Sequence, residues 1–200
     1  MQNNKTNTRT MIQFALLAAI IVIMTFTPLG YLRLGVLEIT FITVPVAIGA
    51  IVLGPLGGAL LGGLFGLTSF FTCFGTSAFG AMLLSINPIY TFIVCMVPRV
   101  LCGWLAGVIF KAFKSKGVVS YGLSALACPV LNTAFFMSGL VLCFYNTEYI
   151  QGFVSALGAA NPFMFVVLFV GVQGLVEAGV CTVLAGAVSK AVALYLAKQK

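Results

Sequence analysis

Apolar runs of about 20 residues recur along this sequence, and the short stretches between them hold most of its charge. A run of that length, wound into a helix, reaches across the roughly 30 Å of hydrocarbon in a bilayer. A soluble reading fails on composition. Only 6% of the residues are charged and 62% are hydrophobic, whereas a soluble domain carries about 25% charged residues. The pattern predicts an all-α membrane protein.

Six runs read as transmembrane helices, at about Thr10–Phe26, Ile39–Gly54, Pro55–Phe71, Ile86–Phe113, Val118–Phe144 and Pro162–Leu196. Residues 1–9 are polar and read as loose. Thr27-Pro28-Leu29-Gly30 follows the first run where a signal peptide would carry a small-x-small cleavage site, so the first run is read as a retained helix. The Gly54-Pro55 step separates runs two and three, and Pro162 suits the first turn of the sixth. Residues 72–85 and 145–161 read as connections. No internal repeat stands out, so residues 1–200 form one six-helix domain.

The basic residues orient it. Lys5 and Arg9 precede the first run, Lys111, Lys114 and Lys116 mark the end of the fourth and the turn to the fifth, and Lys190, Lys198 and Lys200 close the chain. With six crossings all three groups fall on the cytoplasmic side, and both termini with them, while the outer connections keep Arg33 alone. Five or seven crossings would strand a lysine cluster outside. The net charge of +7 therefore belongs to membrane orientation and not to nucleic-acid binding.

Missing residue types exclude much chemistry. There is no histidine and no aspartate, which removes imidazole metal sites, Ser/His catalysis and aspartyl dyads. No catalytic residue, metal ligand or cofactor is expected, and the chain does not read as an enzyme. No G-x-x-x-x-G-K-[ST] segment occurs, so ATP would have to act through a partner. The six cysteines form no C-x-x-C pair and read as small packing residues. Trp104 reads as an interfacial anchor near the inner end of the fourth run.

Two ionisable residues remain deep in apolar runs, Arg99 in the fourth and Glu177 in the sixth. Each costs roughly 2.5–3.5 kcal/mol at a helix centre, so each must face a partner or a cavity. Counting at 1.5 Å per residue puts both roughly 20 Å below the outer surface, with Asn132 of the fifth run at a similar level. Gln173 lies one turn above Glu177 on the same face. The group reads either as an Arg–Glu pair that holds the bundle or as an outward-opening pocket for a ligand with an anionic group. Asn87 and Tyr90 are placed at the pocket mouth, although Asn87 could instead cap the fourth helix. Small residues at Ala15/Ala19 and at Gly58/Gly62/Gly66 allow close helix approach. Helices one to three, poor in polar groups, read as a docking half, and four to six as a ligand half.

The chain resembles the substrate-binding (S) components of energy-coupling factor (ECF) vitamin transporters over nearly its full length. The resemblance rests on the size, the six spans and the Ala15/Ala19 pair. It rests also on the run from Ile39 through Gly54-Pro55 to Gly58, and on Gly66-Leu-Thr-Ser69, Val97-Pro-Arg99, Asn132-Thr133 and Gln173-Gly-Leu-Val-Glu177. It implies a bacterial cytoplasmic-membrane protein that captures a vitamin from outside. A membrane-embedded coupling subunit and two ATPases would then drive it to topple and release the vitamin inside. Ala15 and Ala19 would mark the coupling face. Gln173 stands where asparagine is more usual in that family. The pattern looks most like the pantothenate-type subgroup. One deep arginine suits one carboxylate, and Asn132, Gln173 and Glu177 suit hydroxyl and amide groups. Folate and biotin also carry carboxylates and stay open, as does a stand-alone ion-coupled carrier.

Overall fold

The computed structural model describes residues 2–33 and 38–198. Of the charges used above, the side chains of Lys5, Arg33, Lys116, Lys198 and Lys200 lie outside the described residues. Helix α1 spans Gln2–Thr25, so the polar start continues the helix and is not loose. Once nucleated, a helix gains a backbone bond with each residue added. A two-stranded antiparallel hairpin follows, β1 Tyr31–Arg33 and β2 Glu38–Thr40, with Tyr31 opposite Thr40. Then come α2 Thr43–Val52, α3 Pro55–Thr72, α4 Ala78–Ile86, α5 Pro88–Ala112, α6 Val118–Phe144, α7 Glu148–Ala156 and α8 Pro162–Lys198.

Among the described residues, five helices are long and apolar enough to cross a membrane: α1, α3, α5, α6 and α8. The second predicted span differs. It is built from β2, a turn and the ten-residue α2, a helix of only about 15 Å. Thr40 and Thr43 begin the change, since the Thr43 hydroxyl donates to the Thr40 carbonyl. Two connections also hold helices that the sequence reading left out. Ser77 caps α4 by accepting from the Gly80 amide, and Thr147 caps α7 by accepting from Ile150. The sixth span is interrupted at Gly171, whose φ of 36° and ψ of −125° break the helix.

The short α2 is buried on most of its faces and packs against α1, α3, α5, α6 and α8. It ends at Gly54, where φ is 87°, a conformation that favours glycine. Pro55 then opens α3. This turn lies beside Lys111, so the α2–α3 and α5–α6 connections share one end of the bundle. The glycines of α3 press it onto α5. A Cβ on Gly58 would stand 2.3 Å from the Gly103 carbonyl oxygen, and one on Gly62 2.1 Å from that of Arg99.

Apolar packing divides into two cores. The one toward the Lys111 end of the bundle, called inner for that position alone, gathers Ile42, Val46, Cys102, Cys128 and Cys181 among others. The outer one gathers Phe79, Val94, Leu140, Phe144, Ile150 and Phe165 among others. Five of the six cysteines are buried and all are free thiols, packed as small apolar groups. Much of the outer surface of the long helices is large and apolar, including Leu142, Phe163, Leu175 and Val183, as lipid contact requires.

Candidate functional site

Three helices pass through the same sequence of environments. On α5 the outer core ends at Val94 and the inner one begins at Cys102. On α6 the inner core ends at Cys128 and the outer one begins at Met137. On α8 the outer core holds Phe165 and the inner one begins at Cys181. Between the cores each helix carries polar residues, and these surround one cavity of about 920 Å³, counting its open mouth.

Arg99 from α5, Asn132 from α6, and Gln173 and Glu177 from α8 all line this cavity. Arg99, Asn132 and Glu177 are 8%, 6% and 7% exposed. Arg99 Nη1 donates to the Val94 carbonyl at 2.7 Å and Nη2 to Ser69 Oγ at 3.5 Å. Its guanidinium carbon lies 4.7 Å from the Phe136 ring centroid and 5.4 Å from that of Phe65. Glu177 Oε2 accepts from the Thr40 amide at 3.4 Å. Among the described residues no hydrogen bond or ion pair joins Arg99 to Glu177. They face one cavity without forming the structural pair that the sequence left open.

Among the described residues three polar atoms on these side chains are buried without a partner: Arg99 Nε, Asn132 Oδ1 and Glu177 Oε1. Tyr31 OH, which faces Ser69 without hydrogen-bond geometry, is a fourth on the same cavity. A buried polar atom with no partner costs about 1–3 kcal/mol, and native proteins keep few of them. Four around one opening form a complementary surface for a polar molecule. Tyr31 lies in the connection between α1 and α2, and burial pushes its phenol above the ordinary range. It therefore stays neutral and can donate.

Two residues placed at the mouth by sequence are not on the cavity. Asn87 caps α5, its Oδ1 accepting from Ile89 and Tyr90 amides at 3.1 Å. The open amides of a helix start make that the preferred use of an asparagine before proline. Tyr90 is 44% exposed and packs edge-on against Phe144. The division into a docking half and a ligand half also fails, because Thr40 of β2 and Ser69 and Thr72 of α3 line the cavity. Gly66-Leu-Thr-Ser69 held the signal, since Ser69 continues the glycine face of α3 by one turn. Above the cavity, rings from α4, α7 and the outer part of α8 interlock. Phe79 meets Tyr149, Phe153 and Phe169 at 5.8, 6.3 and 5.9 Å.

Ala15 and Ala19 do not line this cavity and lie on an exposed face of α1.

Residues 9–189 match the family described as ECF transporter, substrate-specific component. The chain belongs to that family. It is thus the S component of a transporter, a multi-pass protein of the cell membrane. This S component is also 35% identical over 143 residues to the pantothenate transporter PanT of Leuconostoc mesenteroides, a match covering 66% of this chain and 67% of that one.

Proposed function

We propose that this S component captures pantothenate from outside the cell, binding its carboxylate at Arg99 and its hydroxyl and amide groups at Asn132, Gln173 and Glu177. One observation carries the reading. Among the described residues, one buried cation with an unpartnered N–H shares a cavity with two unpartnered acceptor oxygens. Pantothenate has that complement, an anion at one end and hydroxyl donors at the other. The likeness to PanT points the same way.

The fold and the family support the remaining parts of the reading. The chain acts as one unit over residues 1–200, crossing the bilayer six times with both termini in the cytoplasm. β2, its turn and α2 together extend about 25–30 Å, enough for the second crossing. Gly54 beside Lys111 supports an inner end of that crossing at the basic turn. A membrane-embedded coupling subunit docks on the Ala15/Ala19 face, and two ATPases supply the energy.

Isothermal titration of the detergent-purified protein tests the ligand. Pantothenate should bind, and panthenol, which has an alcohol in place of the carboxylate, should bind far more weakly. Arg99→Ala should weaken pantothenate by roughly tenfold to a hundredfold, the worth of a hydrogen bond to a charged group. Arg99→Lys should fall between, since it keeps the charge and loses the planar fork. Binding of biotin or folate instead, or equal binding of panthenol, refutes the assignment.

A further inference from the structure

The cation of the site is held by a gap in its own helix. Pro98 lies inside α5. In an unbroken helix the amide of residue 98 would donate to the carbonyl of Val94, four residues earlier. Proline has no N–H, so that oxygen is released. Val94 is buried within the outer core, and its carbonyl is taken by Arg99 Nη1 at 2.7 Å. The direction is natural, since helical side chains lean toward the N-terminal end of their helix. The guanidinium plane is then set by Phe136 of α6 and Phe65 of α3.

The consequence concerns which edge of the guanidinium is free. Nη1 is committed to the backbone. Among the described residues Nε has no partner, and Nη2 reaches only Ser69, at 3.5 Å. Nε and Nη2 form one of the two-pronged edges that match a carboxylate. With Nη1 tied back, this edge is the one left for an anion. We infer that Pro98 is a positioning residue for ligand binding: by freeing the Val94 carbonyl it fixes the Arg99 guanidinium so that the Nε/Nη2 edge meets the ligand's carboxylate. Pro98→Ala restores an N–H that competes for that carbonyl and lets the guanidinium turn.

The inference rests on the carboxylate reading of the site, and its test separates the two. The full chain carries three arginines, Arg9, Arg33 and Arg99. Nitrogen NMR of ligand-free wild type, with arginine labelled and Arg99 assigned by its loss in Arg99→Lys, reads the hydrogen bond without any ligand. Distinct, slowly exchanging Nη signals for Arg99 are expected, and they should merge in Pro98→Ala. Merged signals in wild type overturn the inference even if no Pro98 variant folds. Pantothenate titration then reads function in a double-mutant cycle. Pro98→Ala should weaken binding about tenfold in wild type, the scale of a charge-assisted hydrogen bond, and less than about twofold in the Arg99→Lys background. An equal loss in both backgrounds means Pro98 acts through the fold and overturns the inference, as does no loss in wild type. If wild type fails to bind pantothenate, the ligand assignment falls, and the NMR alone decides whether Pro98 sets the guanidinium.

Discussion

Gly62→Ala isolates the contact that brings α3 to the site. The added Cβ would stand 2.1 Å from the Arg99 carbonyl oxygen and 2.8 Å from its carbon. Ordinary carbon–oxygen contact is near 3.3 Å, so the helices must part by about 1 Å. Both sides are backbone, and no rotamer change can relieve it. Overpacking of this kind costs about 1–3 kcal/mol, of which the better helix propensity of alanine returns roughly 0.5–1. A net loss of about 1–2 kcal/mol lowers the melting temperature of a chain this size by roughly 2–8 °C. Gly63 is the matched control. A Cβ there meets only Val100 Cγ2, at 3.7 Å, which is normal contact. Gly63→Ala should be neutral or slightly stabilising. The assay is thermal unfolding of both purified variants in the same detergent at one scan rate, followed by pantothenate titration. Binding should fall about three- to tenfold in Gly62→Ala, because Phe65 and Ser69 move away from the guanidinium, and stay level in Gly63→Ala. Equal stability of the two variants would refute the close-contact argument. Lower stability with unchanged binding would refute the link from α3 to Arg99.

Two further expectations concern orientation and assembly. A cysteine placed at Ser115 should react with a membrane-impermeant reagent only after the cytoplasmic side is opened, while one at Gln151 should react in intact cells; external labelling at Ser115 would exclude the six-crossing topology. Ala15→Trp or Ala19→Trp should abolish uptake by the assembled transporter and leave pantothenate binding to the isolated chain unchanged, since both lie on an exposed face away from the cavity; a parallel loss of binding would count against a docking role.

What could be read from the sequence was what a bilayer penalises. Arg99 and Glu177 are costly enough in hydrocarbon that their presence alone required a cavity or a partner, and helix counting set them at one depth. The lines of the cavity drawn by Ser69, Thr72 and Thr40 were harder to see. A hydroxyl can satisfy itself on its own helix, as Thr72 does with the Ser69 carbonyl, so its presence in an apolar run demands nothing. Asn87 misled for a related reason: one residue type serves both ligands and helix starts, and only the geometry at Ile89 and Tyr90 chooses. The split of this run into β2 and α2 was hidden because Ile39-Thr-Phe-Ile-Thr is apolar and β-branched. Such a run fits a buried helix and a strand equally well by periodicity.

The arrangement also bears on selectivity. A hydrophobic pocket separates ligands that differ by one methylene by only about 1–3 kcal/mol, whereas a site whose buried polar groups are left unpaired by the wrong ligand can reject it by a factor of about 10⁴–10⁵. Here the apolar walls are supplied by residues such as Leu83, Val94 and Met137, and the unpaired groups by Arg99, Asn132 and Glu177. Hydrocarbon fit alone would therefore admit many small amphiphiles. On the proposed reading the three unpaired groups make the difference, because a molecule lacking either the anion or the hydroxyl donors would seal at least one of them from water without satisfying it. The same groups hold the two apolar cores apart: Arg99 and Glu177 are already buried between them, and hydrocarbon packed against their polar atoms could not satisfy them.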